Sequence, residues 1–218
     1  MVRPTLVIDL DGTLVDSLPD LHASLNRLML IRGLPPFAPR EVAAFIGDGA
    51  AMLVERAMRN RQRAATPDDV NVFLADYTAH AAECSTLFPG VADTLAAAQT
   101  RGWRLAVCTN KPGAPARSLL AALHVADRFD AIGGGDSFPT KKPDPAHLLA
   151  TIAAAGGSPA ASVMVGDHRN DVLAAKGAAI PVIFADWGYG TADMAAGADA
   201  VASAFADLLP AAAALLRA

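Results

Sequence analysis

Four short polar segments of this sequence contain residue types that could act together on a charged substrate. They are DLDGT at 9–13, CTNKP at 108–112, KKPDP at 141–145 and GDHRND at 166–171. The first and last segments each supply two carboxylates, the second supplies hydroxyl, amide and backbone donors, and the third supplies lysine. Clustered carboxylates repel one another, so burying them requires positive charge such as a divalent cation. The donors of the second segment would form a cradle for an anion.

The spacing within two of these segments allows their acids to converge. Asp9 and Asp11 follow an apolar run. Residues two apart on a strand point the same way, so both carboxylates would face one point if the strand continued. Asp167 and Asp171 are four residues apart, which is close to one helical turn. The sequence therefore predicts two acidic pairs on one rim.

Each segment taken alone has a simpler explanation. Asp11-Gly12 is a common turn sequence, a Thr-Asn pair before a helix usually caps it, and a Lys-Lys-Pro segment is usually a solvated loop. Asp167 or Asp171 alone would be typical of a helix cap. The complete set favours a functional site, because each of the four segments follows a predicted buried strand.

Short apolar runs predict the strands that position these segments. The stronger runs lie at 5–10, 104–108, 162–165 and 181–184, and weaker ones lie near 130–133 and 199–201. Between them are predicted helices at 91–101, 113–123 and 145–155. This alternation predicts an α/β fold with a parallel sheet covered on both faces. Ligands then bind at the carboxyl ends of the strands.

Residues 16–88 break this alternation, because they contain no convincing strand. Their amphipathic patterns predict helices at about 18–32, 40–46, 50–62 and 67–83, the last starting with a capping box at Thr66–Asp69. We predict that this segment is a helical domain inserted into a core formed by 1–15 and 89–218. Its two junctions, near 15–18 and 85–90, would lie side by side and could act as hinges.

The composition excludes several classes of protein. The 218 residues are 53% hydrophobic and 18% charged, which excludes a disordered chain. A net charge of −4 and 6% aromatic residues argue against a nucleic-acid partner. Two cysteines, Cys84 and Cys108, form no disulfide framework, so a reducing compartment is predicted. No uncharged apolar run reaches the roughly 18 residues of a membrane span. We predict a cytoplasmic protein with no membrane partner.

The four polar segments resemble the four motifs of the haloacid dehalogenase-like hydrolase superfamily. Their spacing matches, the likeness extends over essentially the whole chain, and the helical insert is similar to that superfamily's α-helical cap. The resemblance implies a Rossmann-like parallel-sheet core with an inserted cap. Within the superfamily, VDSLPDL, FIGDGAAMLVERAM and FPGVADTL look most like bacterial phosphoglycolate phosphatases. His168 departs from the pattern, in which serine is usual, and we expect its side chain to point into solvent.

The resemblance implies a role for each acid. Asp9 would be the nucleophile that forms an aspartyl-phosphate, and Asp11 would protonate the leaving oxygen and then activate water. The ligands of a Mg²⁺ ion would be the Asp9 carboxylate, the backbone carbonyl of Asp11 and Asp167. Asp171 would orient a metal-bound water, and direct ligation by Asp171 stays open. Such an oxygen-rich donor set suits this hard ion.

The remaining motif residues would bind the phosphoryl group. Thr109 and Asn110 would donate to its oxygens, and Lys142 would offset charge on the phosphate and Asp9. Lys142 is chosen over Lys141 because the superfamily's lysine directly precedes the proline. The presence of Asp11 favours ester hydrolysis or mutase chemistry, because the dehalogenases of the superfamily lack this acid.

The resemblance predicts a Mg²⁺-dependent phosphatase that hydrolyses 2-phosphoglycolate to glycolate and phosphate. The alternatives are a phosphatase for another small phosphomonoester such as a sugar phosphate, a β-phosphoglucomutase-like phosphomutase and, last, a non-catalytic binding protein. The partner would be a small phosphorylated organic acid, and the protein would be a monomer or small homo-oligomer.

Substrate choice would come from the helical insert. Gly47-Asp48-Gly49 either closes over the site or forms an ordinary turn between helices, and the sequence favours neither interpretation. Arg56 is a candidate carboxylate-binding cation, although nearby arginines indicate a solvated face.

Overall fold

The computed structural model describes residues 2–217 and contains eight strands and nine α-helices within that range. The strands are β1 (Thr5–Ile8), β2 (Val15–Asp16), β3 (Thr86–Leu87), β4 (Arg104–Cys108), β5 (Ala131–Gly133), β6 (Ser162–Gly166), β7 (Val182–Ala185) and β8 (Ala200–Ala202). The helices are α1 (Leu18–Ile31), α2 (Pro39–Ala43), α3 (Ala50–Asn60), α4 (Pro67–Ala79), α5 (Val91–Thr100), α6 (Gly113–Ala122), α7 (Pro145–Ala154), α8 (Arg169–Gly177) and α9 (Leu208–Leu215).

Six strands form one parallel sheet in the order β5-β4-β1-β6-β7-β8. β1 lies at its centre, and Ile8 pairs with Val107 of β4 and Val165 of β6. All six strands of this sheet fall where the apolar runs predict them, so the predicted α/β fold class is confirmed. This register brings the residues that follow β1, β4 and β6 to one edge of the sheet.

The sheet is buried on both faces because its strands are apolar throughout. Leu6 and Ile8 of β1 belong to the hydrophobic core on one face, and Val7, between them, belongs to the core on the other. This alternation follows from the period of two along a strand.

The helices α1 to α4 pack around a third hydrophobic core that is separate from the other two, and Leu25 and Phe73 are among its buried residues. The capping box forms as predicted at the start of α4: Asp69 N donates to the Thr66 hydroxyl at 3.2 Å, and Thr66 N donates to an Asp69 carboxylate oxygen at 2.8 Å. Among the described residues, no helix combines the length and apolarity needed to cross a membrane.

The two junctions of this helical segment form a two-residue antiparallel ladder, which the sequence did not predict. Val15 of β2 pairs with Leu87 of β3, and Asp16 pairs with Thr86. Strands of two residues are too short to give a periodic signal, which is why the pattern shows none. The ladder brings the two junctions side by side, as expected. The division into a core (1–15 and 89–218) and a cap (16–88) stays a prediction.

Candidate active site

Three buried aspartates meet at the carboxyl edge of the sheet. Asp9 follows β1, Asp167 follows β6, and Asp171 lies in the first turn of α8. One carboxylate oxygen from each lies within 4.8 Å of the other two. The parallel register produces this convergence, since it brings the ends of β1 and β6 together. The second predicted acidic pair therefore lies beside one acid of the first pair, Asp9, while the Asp11 carboxylate is outside this cluster.

A buried lysine partly balances these acids. The Lys142 ammonium lies 2.9 Å from Asp9 Oδ1 and 2.5 Å from Asp171 Oδ1, and the residue is 2% exposed. Burial alone would lower the pKa of Lys142, but the carboxylates of Asp171 and Asp9 outweigh it and hold the pKa above its usual value. Lys141, in contrast, is exposed and donates to the Asp48 carbonyl. The structure thus buries Lys142 beside the acids and leaves Lys141 at the surface, while the role that the resemblance implies for Lys142 stays a prediction.

Asp167 is held by neutral donors instead of a lysine. The Thr13 hydroxyl donates to Oδ1 at 2.7 Å, and the Tyr189 and Gly190 amides donate to Oδ2. Burial and the charge of Asp9 raise the pKa of Asp167 to about 6, although these hydrogen bonds oppose the shift. A positive charge bound beside Asp167 would oppose both causes of this shift.

The donor set fits a hard divalent cation. All three clustered groups are carboxylates, with neither histidine nor cysteine in the group. Three acids against the single ammonium of Lys142 leave an excess of negative charge that such an ion would offset. Both oxygens of Asp171 already accept hydrogen bonds, from Lys142 Nζ and from the His168 amide.

Asp11 has a different environment from the other acids. Its carboxylate accepts a hydrogen bond from the Ser17 hydroxyl at 2.6 Å and pairs with Lys111 Nζ at 3.0 and 3.2 Å. Lys111 is buried, and the sequence analysis gave it no role. The available signal was its position directly after Asn110 in the CTNKP segment, but a lysine near a helix start is usually solvated. The approach of Lys111 to Asp11 depends on tertiary contacts.

The donor residues line a cavity together with the first acidic pair. Asp9, Asp11, Thr109 and Asn110 all contribute to its wall. The Asn110 amide nitrogen donates to the carbonyls of Gly47 at 3.0 Å and Lys142 at 2.9 Å. The predicted catalytic and phosphate-binding residues are therefore close together, and their chemical roles stay predictions.

A comparison with protein families matches residues 6–185 to the haloacid dehalogenase-like hydrolase model. This range contains all four polar segments. The chain is a haloacid dehalogenase-like hydrolase. The family predicted from the motifs is confirmed, and phosphatases of this family generally use a divalent metal.

Relatives of this hydrolase agree on the class of reaction. A phosphoglycolate phosphatase from Agrobacterium fabrum is 40% identical over 96% of this chain and 92% of its own. The crystal structure of a predicted phosphoglycolate phosphatase from Haemophilus somnus has a TM-score of 0.88 at 33% identity, covering 96% of this chain and 97% of that one. This chain is therefore a phosphatase that acts on a phosphomonoester.

CbbY from Rhodobacter sphaeroides, solved in complex with xylulose-(1,5)bisphosphate, is also similar in structure. Its TM-score is 0.80 at 28% identity, and the match covers 95% of this chain and 96% of that chain.

The Gly47–Gly49 loop of this hydrolase lies against the catalytic edge. Asn170, at the start of α8, donates to an Asp48 carboxylate oxygen at 2.7 Å and to the Gly47 carbonyl at 3.3 Å. Together with the bond from Asn110, these contacts hold the loop over the site. Of the two interpretations left open by the sequence, the structure agrees with closure over the site.

His168 and Arg56 both contact this loop. The expectation that His168 points into solvent is wrong: the ring is half-buried against Gly47, and Nδ1 accepts from the Asn170 amide. It caps α8 in the way that serine would. The Arg56 guanidinium pairs with the Asp48 carboxylate and donates to the Phe45 carbonyl. Its charge is thus balanced within the helical segment instead of facing the cavity.

Replacing Gly49 with alanine should prevent the loop from docking. A Cβ there would lie 2.6 Å from the Asn110 backbone carbonyl, and the φ of +87° adds strain. We expect kcat/KM to fall by about 10²-fold, because small displacements at a catalytic edge have effects of this size. The rate of phosphate release at several substrate concentrations measures this fall in kcat/KM.

Gly33→Ala is the matched control. Gly33 has a similar φ of +67° in the same helical segment, but nothing lies within 4 Å of its added Cβ. Both variants should lose about 1 kcal/mol of stability from backbone strain, and only Gly49→Ala should lose activity. Equal activity losses in the two variants would show that strain, not docking, is responsible.

Proposed function

We propose that this hydrolase is a Mg²⁺-dependent phosphatase that converts 2-phosphoglycolate to glycolate and phosphate. The observation that carries the proposal is the placement of Asp9, beside Lys142 and in the wall of the same cavity as Asp11. Relatives named phosphoglycolate phosphatase, about 40% identical over most of the chain, support the choice of substrate.

The reaction begins with the Asp9 carboxylate. An Asp9 oxygen attacks phosphorus, the ester P–O bond breaks, and the phosphoryl group becomes bonded to Asp9. Asp11 donates a proton to the departing oxygen, which leaves as the hydroxyl of glycolate. Asp11 then takes a proton from water, the water oxygen attacks phosphorus, and phosphate leaves as Asp9 is restored.

The surrounding residues neutralise charge. Lys142 offsets negative charge on Asp9 and the phosphoryl oxygens, while the Thr109 hydroxyl and the Asn110 backbone N–H supply hydrogen-bond donors, since the Asn110 side-chain amide already donates to Gly47 and Lys142. Asp9, Asp167 and the Asp11 carbonyl would hold Mg²⁺, which supplies further positive charge to the phosphoryl group when bound. Asp171, held in place by hydrogen bonds from Lys142 Nζ and the His168 amide, would orient a bound water.

The helical segment would act as a cap, with the Gly47–Gly49 loop excluding bulk water. The β2–β3 ladder is where the two connections could flex together. Both cysteines are free thiols, in keeping with the predicted cytoplasmic location. A monomer or small homo-oligomer stays the prediction for the assembly.

A sugar phosphate is the second candidate substrate. The likeness to CbbY, solved with xylulose-(1,5)bisphosphate, favours it. A phosphomutase would use the same Asp9 and Asp11, but it would produce an isomer of the substrate instead of free phosphate.

A panel of phosphomonoesters tests the proposal. Free phosphate should accumulate fastest with 2-phosphoglycolate, cease with EDTA and return with added Mg²⁺. A strong preference for a sugar phosphate would replace the proposed substrate, and an isomeric product without phosphate would indicate a mutase. Activity unaffected by EDTA would contradict the proposed metal.

A further inference from the structure

We propose that Lys111 is a specificity-determining residue whose ammonium group binds the carboxylate of the substrate. The inference rests on the proposed phosphatase function and identifies the group that would select esters of small acids. Four features of the structure support it: the position of Lys111, its neighbour Tyr77, the charge balance around it, and the chemistry of the cavity wall.

Lys111 lies on the side of the cavity where the leaving group would be. Its Nζ is 3.0 Å from Asp11 Oδ1, and Asp11 is the proposed proton donor to the leaving oxygen. In 2-phosphoglycolate a single methylene separates the ester oxygen from the carboxylate carbon. A substrate whose ester oxygen meets Asp11 therefore holds its carboxylate beside Lys111.

Tyr77 supplies a second donor in the same cavity. Lys111 Nζ lies 4.1 Å from the centre of its ring, and the residue is 1% exposed. Within residues 2–217 its hydroxyl proton has no acceptor, since the neighbouring Lys111 ammonium can only donate. Burial raises the pKa of Tyr77, so the hydroxyl keeps its proton. Buried polar groups are rarely left without a partner, and a bound carboxylate would accept from both Tyr77 and Lys111.

The Lys111 ammonium forms an ion pair with one acid. In the part of the chain that the structure describes, Asp11 is the only carboxylate paired with it. An ammonium group has three N–H donors, so Lys111 could hold Asp11 and a substrate carboxylate at the same time through charge-assisted hydrogen bonds.

The rest of the cavity wall suits a small acid better than a sugar. Lys111 is the only cationic residue among the described residues that line this cavity. Much of the remaining wall is apolar and comes from Leu21, Leu53, Phe73 and Leu74. Sugar hydroxyls placed against such a surface would lack hydrogen-bond partners, which disfavours their binding.

The test compares two substrates that differ only at the group in question. 2-Hydroxyethyl phosphate has the same skeleton as 2-phosphoglycolate, with a hydroxyl in place of the carboxylate oxygens. The quantity measured is the ratio of kcat/KM for the acid to kcat/KM for the alcohol. In Lys111→Met this ratio should fall by about 10²-fold, because the substrate carboxylate loses its charged partner. If Lys111→Met acted only by disturbing Asp11, kcat/KM would fall for both substrates and their ratio would stay unchanged.

Two further variants complete the experiment. Tyr77→Phe removes only the hydroxyl and should lower the same ratio several-fold, mainly by raising KM for the acid. Lys176→Met, at an exposed ion pair with Asp199, should leave the ratio unchanged. An unaltered ratio in Lys111→Met, or a wild-type ratio near one, would overturn the inference; if Lys111→Met does not fold, an unaltered ratio in Tyr77→Phe would overturn it. A wild-type enzyme that hydrolyses neither substrate would instead overturn the proposed function on which the inference rests.

Discussion

Replacing Asp9 with asparagine should lower phosphate release by at least about 10⁴-fold, the scale expected when a nucleophile is removed. The amide carries no negative charge and is a poor nucleophile toward phosphorus. The intact wild-type protein should also become phosphorylated when mixed with substrate and quenched in acid, and the variant should not. Mass spectrometry of the whole chain measures this second effect.

The fold should survive this substitution. Asparagine is nearly isosteric with aspartate, and its carbonyl can keep the hydrogen bond from the Leu10 amide, which is 2.7 Å long at Asp9. The change also removes one of three clustered buried carboxylates, so it relieves repulsion. We expect an unfolding midpoint at or above that of the wild type in the absence of metal.

The control for Asp9→Asn is Asp193→Asn. Asp193 forms an exposed ion pair with Arg169, so this control variant should keep full activity. The mass of the Asp9→Asn protein is to be checked before the assay, because deamidation would restore aspartate. A deamidation-free variant with a rate within tenfold of the wild type would exclude Asp9 as the nucleophile.

Local signals explain why the catalytic edge could be predicted from the sequence. Each short apolar run predicts a buried strand. The residue that follows the strand must then lie at the edge of the sheet, as Asp9 and Asp167 do. Parallel register then brings those ends together without further information. The resemblance to a family supplied what spacing could not, including the choice of Lys142 over Lys141.

The residues that sequence analysis missed depend on contacts between distant segments. Lys111 pairs with an acid 100 positions away in the sequence, and the ring of His168 packs against Gly47 of the helical segment. No period or capping pattern encodes such contacts. The same holds for Asn170, whose bonds to the loop depend on how the helical segment sits over the sheet. These are the positions that we propose to govern closure and substrate choice, so the identity of the substrate was harder to predict than the class of reaction.

Replacing Lys142 with methionine should cost about 3–5 kcal/mol of stability and abolish activity. Lys142 is the cation between Asp9 and Asp171, and its removal leaves these buried acids without a compensating ammonium. Breaking one side of a buried ion pair has effects of this size. Urea unfolding in EDTA measures the free energy of unfolding.

A double variant separates charge from packing in this prediction. Lys142→Met combined with Asp171→Asn removes one acid together with the cation, so it should recover much of the lost stability while remaining inactive. Lys176→Met breaks an exposed pair and should cost no more than about 1 kcal/mol. If the double variant were no more stable than Lys142→Met, the loss would come from packing of the lysine stem. The buried acids would then not need the ammonium for folding, and the charge balance proposed for this site would be wrong.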